Sequence, residues 1–327
     1  MRRNSLAGYV SQAGCGLNLL GPANVEQIHN ATLEVLNDVG IRIDCEEALD
    51  IFEKAGAKVE REAKIVHIPE FLVETAVKMA PSHFTVGGRG GNHDVVIGTD
   101  RVSFIPFGEG VTVEDIYTGE IRESTKEDAA KIARLTDALD SFSYSFDTVI
   151  ARDVAPETLP LHTLDAQANN TTKCLWSSPE GRRSAEYLIE MGRVIAGGQE
   201  QLEAKPVLMG GGCPISPLTL CKEYTEALMV YAKNKVPFLE LSMALGGGTA
   251  PTTIAGTLVT HNAEVLASVV LSQLVRPGAP VIYGSSTTNL DLRKGTATVG
   301  SPELAMINAG VAQLAHFYGI PSFVAGG

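Results

Sequence analysis

The sequence predicts an α/β protein built around a parallel sheet, and three observations carry that expectation. From about residue 123 onward, short apolar runs alternate with helical stretches. The runs KCLWSS, PVLMGGG, VPFLELSM, PVIYGSS and PSFVAGG are almost continuously apolar, as strands covered on both faces must be. Ser, Thr, Gly and Asp gather after these runs rather than before them, which puts the functional face at the strands' C-terminal ends. A (β/α)₈ barrel and a doubly wound sheet both have that property.

The elements before residue 123 have a different rhythm. Asn24 is placed to cap a helix with apolar positions Val25, Ile28, Leu33 and Leu36, and Gly40 stops it. A second helix spans Glu46 to Lys54 and ends at Gly56, and a third starts from Pro69. Small strands are expected at IVHIP, HFTVGG, DVVIG and RVSFI, separated by Gly, Asn and Asp turns. Residues 1–122 therefore read as an α+β N-terminal elaboration. Beyond it, a helix from Lys126 to Leu139, capped by Ser124 or Thr125, precedes the first apolar run SFSYSFDTVI. The last helix has Ser301 as N-cap, Pro302 at its first position and Glu303 in its first turn. The six runs from Ser141 to Gly327 are two short of a closed barrel, which takes about 250 residues.

Bulk properties narrow the function. Hydrophobic residues at 44% and charged residues at 20% describe a globular chain. A formal net charge of -12 leaves no basic stripe for nucleic acid or an anionic membrane, and it attracts small cations. Five scattered cysteines form no disulfide framework, the N-terminus lacks a signal-like apolar run, and a cytoplasmic location is expected. The apolar stretch Leu258 to Val275 is broken by polar residues and reads as a buried helix.

Motif chemistry is sparse. The glycine loops LGGGTAP and MGGGCP match neither phosphate fingerprint and suit close approach of a flat ligand or a partner. His261 and His316 lie in helical patterns with no ligand cluster nearby, so core histidines are the simpler reading and no metal site is expected. Cys213 has no neighbouring base and reads as an inert thiol. The aromatics Phe107, Tyr144, Phe146, Trp176, Tyr283 and Phe323 fall near strand ends, where they would either fill the core or cage an ammonium group. Glu240, on an expected strand, is a candidate buried base.

Three strings are more specific than any of these: AGTLVTHNAEVL (Ala255 to Leu266), YGSSTTNLDLRKGTATVGSPEL (Tyr283 to Leu304) and YGIPSFVAGG. With CPISPL, NTTK, the ARD at Ala151 to Asp153 and IHNATLEVLNDVGI, they resemble the trimethylamine–corrinoid protein methyltransferases along nearly the whole chain. The resemblance implies a (β/α)₈ TIM-type barrel, incomplete at the C-terminus, with residues 123–327 holding its first roughly six βα units. It also implies that pyrrolysine, encoded by an in-frame UAG, follows Gly327, so that the catalytic residue lies outside this chain. An amber codon read as a stop is then the expected cause of the chain's end, and the chain alone is expected to be inactive.

The activity so implied is transfer of a methyl group from trimethylamine to the Co(I) corrinoid of a partner corrinoid protein. No cofactor is bound directly, and the full-length protein is expected to form a homo-oligomer. Arg152, Tyr283, Ser285 and Thr287 lie in family-like strings at expected strand ends and, with Phe107 and Trp176, are candidates for the substrate pocket. Gly246, Gly247 and Gly248 are candidates for docking the corrinoid partner. The alternatives are a corrinoid methyltransferase acting on a quaternary amine such as glycine betaine, and a non-catalytic fragment that only binds partners.

Overall fold

The structure is a computed structural model describing residues 18–91, 93–98 and 102–325. Cys15, Arg101 and the closing glycines of PSFVAGG lie outside those residues. The helices that matter here, in chain order, are α1 (Pro22–Glu34), α2 (Glu46–Lys54), α3 (Glu70–Met79), α4 (Lys126–Ala138) and α5 (Leu159–Ala168). After them come α6 (Gly181–Ala196), α7 (Lys222–Lys233), α8 (Ile254–Val275) and α9 (Pro302–Tyr318). The parallel strands between them are β1 (Leu175–Ser177), β2 (Leu208–Gly212), β3 (Phe238–Ser242), β4 (Val281–Ser285) and β5 (Ser322–Val324).

Local chemistry explains the helix ends. Thr125 caps α4: its hydroxyl accepts the Asp128 N–H at 3.3 Å while the Asp128 carboxylate accepts the Thr125 N–H at 3.0 Å. Ser301 caps α9 by accepting the Leu304 N–H, with Pro302 following it. Gly40, at φ 79°, closes the segment after α1 by donating its N–H to the Val35 carbonyl. The start of α1 differs from the sequence expectation. Gly21 is the N-cap and Asn24 is the third helical residue, its side chain accepting the Gly21 N–H at 3.3 Å. Pro22 sets this register, because its fixed φ suits the first helical position.

The described residues divide into two compact units. One comprises 84–210, and the other combines 18–83 with 211–325. In the first, β1 and β2 pair in parallel, with Trp176 opposite Met209. Leu175 and Leu208 from these strands pack with Leu164 of α5 and Leu188 of α6. The short hairpin of Thr112–Glu114 and Ile121–Glu123 belongs to this unit, where Val113 packs on Ala129, Ala130, Val149 and Ala166. Residue 122 thus lies inside a packed unit.

The runs RVSFI and SFSYSFDTVI are not continuous strands. They make only isolated bridges, Phe104 with Phe142, Tyr144 with Cys174 and Gly110 with Val149. Pro106 and the left-handed Glu109 (φ 62°) lie between the bridging residues and break the ladder.

In the second unit, β4 lies between β3 and β5, all parallel, with Glu240 opposite Tyr283 and Gly284 opposite Phe323. Helix α8 runs through its interior, against α1, α2, α3, α7, α9 and the strands β3 and β4. Residues 261–273 are buried without a break. The helix is long and apolar enough to span a bilayer by composition, yet it is the core helix of this unit.

Candidate active site

Strand ends in the first unit collect buried polar groups. Asp147 is 4% exposed, one carboxylate oxygen accepts the Ser178 N–H at 3.1 Å, and the other has no hydrogen-bond partner. The backbone N–H of Glu109, an exposed residue, donates to the Asp147 carbonyl at 3.0 Å. Burial, and then the charge of Glu109, push the Asp147 carboxyl up to about 7. The next residue back, Phe146, lies on Trp176, ring centroids 5.0 Å apart at 32°. Gly108 makes this approach possible, since any side chain there would collide with the Phe146 ring. Trp176 is buried, and neither its indole N–H nor the Ser177 hydroxyl has a partner.

Of the expected pocket residues in this unit, only Trp176 joins that group. The Phe107 side chain is 84% exposed. Arg152 forms a surface ion pair with Glu123 at 3.1 Å, and its N–H donates to the Ser124 carbonyl.

The other three pocket candidates lie together in the second unit, where Tyr283 and Thr287 contact the helix behind the sheet through Asn262 and His261. Tyr283 is fully buried and its hydroxyl donates to Asn262 of α8 at 2.6 Å. Asn262 in turn donates to the Tyr318 hydroxyl at 2.8 Å and to Thr32 at 2.9 Å, binding α8 to α9 and α1. The Thr287 N–H donates to the Ser285 hydroxyl at 3.1 Å, and the Thr287 hydroxyl donates to the Ser242 carbonyl at 3.2 Å. His261 Nδ1 lies 3.0 Å from that same Thr287 oxygen. Strand alternation explains the placement: Tyr283 and Ser285 share one face of β4, and Ile282 and Gly284 the other.

Two carboxylates extend the polar layer behind the sheet. Glu240 accepts from the Tyr224 and Ser272 hydroxyls, and burial pushes its carboxyl up to about 8. Glu264 accepts from Ser242 at 2.6 Å, Ser216 at 2.8 Å and the Leu218 N–H at 2.9 Å, and burial raises it too. Desolvation lowers the His261 imidazole to about 3, so it is neutral, with Nε2 unpartnered.

The glycine candidates form a tight turn. Gly247, at φ 83°, donates to the Ala250 carbonyl at 2.9 Å, and Gly248 donates to Leu245 at 2.9 Å. Gly246 is buried against Asn289 and Thr257, while Gly248 is exposed. Among the described residues there is no group of three or more His, Cys, Asp or Glu that could hold a metal ion. Sequence reasoning missed Asp147, whose only signal was an acidic residue closing the apolar run SFSYSF.

Comparison with known proteins places the chain among its relatives. The model of the trimethylamine methyltransferase family (MTTB) matches residues 2–327. The chain is 44% identical to a trimethylamine methyltransferase MttB of Desulfitobacterium hafniense, covering 98% of this chain and 65% of that protein. It is 42% identical to the MttB of Methanosarcina barkeri, covering 99% and 67%. A glycine betaine methyltransferase of D. hafniense is 36% identical over 95% of this chain and 64% of its own length. The chain thus spans about two thirds of the length of these relatives. The crystal structure of the M. barkeri monomethylamine methyltransferase (MtmB) superposes with a TM-score of 0.56 at 14% identity, covering 93% of this chain and 62% of that one. That likeness shows a shared α/β fold. By the match along its whole length and by its identity to these relatives, the chain belongs to the trimethylamine methyltransferase family.

Proposed function

We propose that this chain is the amine-handling part of a cytoplasmic trimethylamine methyltransferase, passing a methyl group to the corrinoid of a partner protein. The carrying observation is the sequence match: 40–44% identity to several trimethylamine enzymes over at least 98% of the chain, against 36% to the glycine betaine enzyme. The chemistry of the strand ends suits that substrate. Trimethylamine is a cation at neutral pH, and a carbon–nitrogen bond breaks more readily when nitrogen leaves from the protonated amine. A chain of net charge -12 draws such a cation in, and the aromatic pair Phe146–Trp176 includes the residue next to Asp147 in the chain.

The corrinoid cobalt supplies the nucleophile when the partner docks. This chain's share is to bind the amine, orient one methyl outward and exclude water, an effect of proximity rather than of acid–base chemistry. Gly248, exposed at the turn after β3, belongs to the surface proposed for docking. The pyrrolysine that the resemblance implies after Gly327 forms part of the same proposal.

The test uses the protein from its natural host, with mass spectrometry across position 328. With the reduced corrinoid protein, trimethylamine should consume Co(I) absorbance and yield dimethylamine, while glycine betaine should not. Turnover of glycine betaine alone would replace this reading with the quaternary-amine one. Corrinoid-protein binding without turnover of either amine would leave only the binding role.

A further inference from the structure

We propose that Asp147, with Glu109 beside it, is the anionic seat for a small alkylammonium ion, and is therefore a specificity-determining group for the amine. The inference rests on the trimethylamine reading above. Its geometric basis is an unbalanced set of buried groups at one strand end. One Asp147 oxygen is held by the Ser178 N–H, whereas the other is buried and accepts from nothing. A buried carboxylate with an open oxygen has to take up either a proton or a cation. Glu109, an exposed residue, is the carboxyl group whose charge acts on it.

The chemical class of the occupant follows from the neighbours. A divalent metal would need several more anionic or imidazole ligands, and the described residues offer no such group. Phe146, the residue before Asp147, lies on Trp176 of β1, and such an aromatic pair is the kind of surface that methylated ammonium ions favour and metal ions do not. The empty seat holds a proton over part of the neutral range. Arrival of a cation favours the carboxylate, so binding expels that proton to solvent, and no bond other than O–H is made or broken.

Trp176 is the chain's one tryptophan and reports directly on this strand end. The experiment titrates the chain with tetramethylammonium chloride, whose charge is independent of pH, and follows Trp176 emission and proton release at about pH 6.5. Magnesium chloride and tert-butanol serve as the metal and neutral controls. The expected result is saturable binding with release of on the order of half a proton per cation. Asp147→Asn should weaken binding by about 10-fold or more and abolish the release.

Several results would overturn the proposal: no saturable response, an equal response to magnesium or tert-butanol, binding without proton release, or unchanged affinity in Asp147→Asn. Should that variant fail to fold, proton release by the unaltered chain decides the matter. Tetramethylammonium binding needs no methyl transfer. Binding without trimethylamine turnover would therefore sink the proposed function and leave the seat standing. Turnover with no Trp176 response would sink the seat alone.

Discussion

Single residues in this chain are tuned by burial more than by charge pairing, and Glu240 is the clearest case. Its folded carboxyl is raised to about 8, against about 4.3 in an unfolded chain. Below the unfolded value both states hold the proton and the folded state loses nothing. As pH climbs toward 8 the unfolded chain releases a proton that the folded one retains, so stability falls. Glu240→Gln keeps an acceptor oxygen for one of the Tyr224 and Ser272 hydroxyls, donates an N–H to the other, as the protonated carboxyl would, and removes that dependence. The variant should melt several degrees higher than the parent at pH 8 and within about one degree of it at pH 4.5, read by thermal unfolding. His261 has the opposite sign, since its imidazole is lowered to about 3, and stability is lost as pH drops from about 6.5 toward that value. Glu240 could be singled out in the sequence because a carboxyl on an apolar strand must be buried. The donors that satisfy it, Tyr224 and Ser272, come from two different helices, and no local pattern reveals them.

At the scale of the element, α4 shows how one helix is held at both ends by residues far apart in sequence. Its first turn is fixed by Thr125 and Asp128, and the Asp128 carboxylate also takes a two-pronged bond from Arg122, at 2.6 and 2.8 Å. The Arg122 guanidinium holds that carboxyl well below its usual range. The last turn is fixed by Lys173, fully buried, whose ammonium donates to the Thr136 carbonyl at 2.6 Å and the Leu139 carbonyl at 2.7 Å. Lys173→Met keeps the stem and removes both bonds, while the Leu139 carbonyl still accepts the Phe142 N–H. It should destabilise the first unit by about 2–3 kcal/mol, with faster amide exchange in the last turn of α4.

Strand β4 supplies a second test at this scale. A side-chain carbon on Gly284 would collide with Leu239 and come within 3.0 Å of the Glu240 carbonyl. Gly284→Ala should therefore cost about 1–3 kcal/mol, measured by denaturant unfolding. The α4 cap was legible because Thr-x-x-Asp is a local signal. The Lys173 clamp was not, because nothing near position 173 refers to residues 136 and 139. The face of β4 that carries Tyr283 and Ser285 was equally hidden. A nearly continuous apolar run such as PVIYGSS gives no alternation from which to tell the two sides apart.

For the whole molecule the buried titrating groups act together and set a pH window. Glu240, Asp147 and Glu264 all have raised carboxyls, so each withdraws stability as pH rises above the unfolded carboxylate value of about 4. His261 withdraws it below about 6.5, and the depressed Asp128 withdraws it as pH falls below about 4. Between roughly pH 4.5 and 6 the carboxyl losses and the histidine gain oppose one another. Above 6.5 nothing offsets the carboxyls. Three carboxyls outweigh one histidine in that range, so the stability maximum set by these groups should lie near pH 4, with a decline toward pH 8 in which Glu240 has the largest share. A series of melts from pH 3 to 8.5 at constant ionic strength checks this, and a maximum at pH 6.5 or above would contradict it. The same series with tetramethylammonium present probes the cation seat from the stability side. A cation on Asp147 binds only the folded, ionised form, so it should restore part of the loss at pH 8 and have little effect at pH 5. In Asp147→Asn that restoration should vanish while the slope due to Glu240 persists.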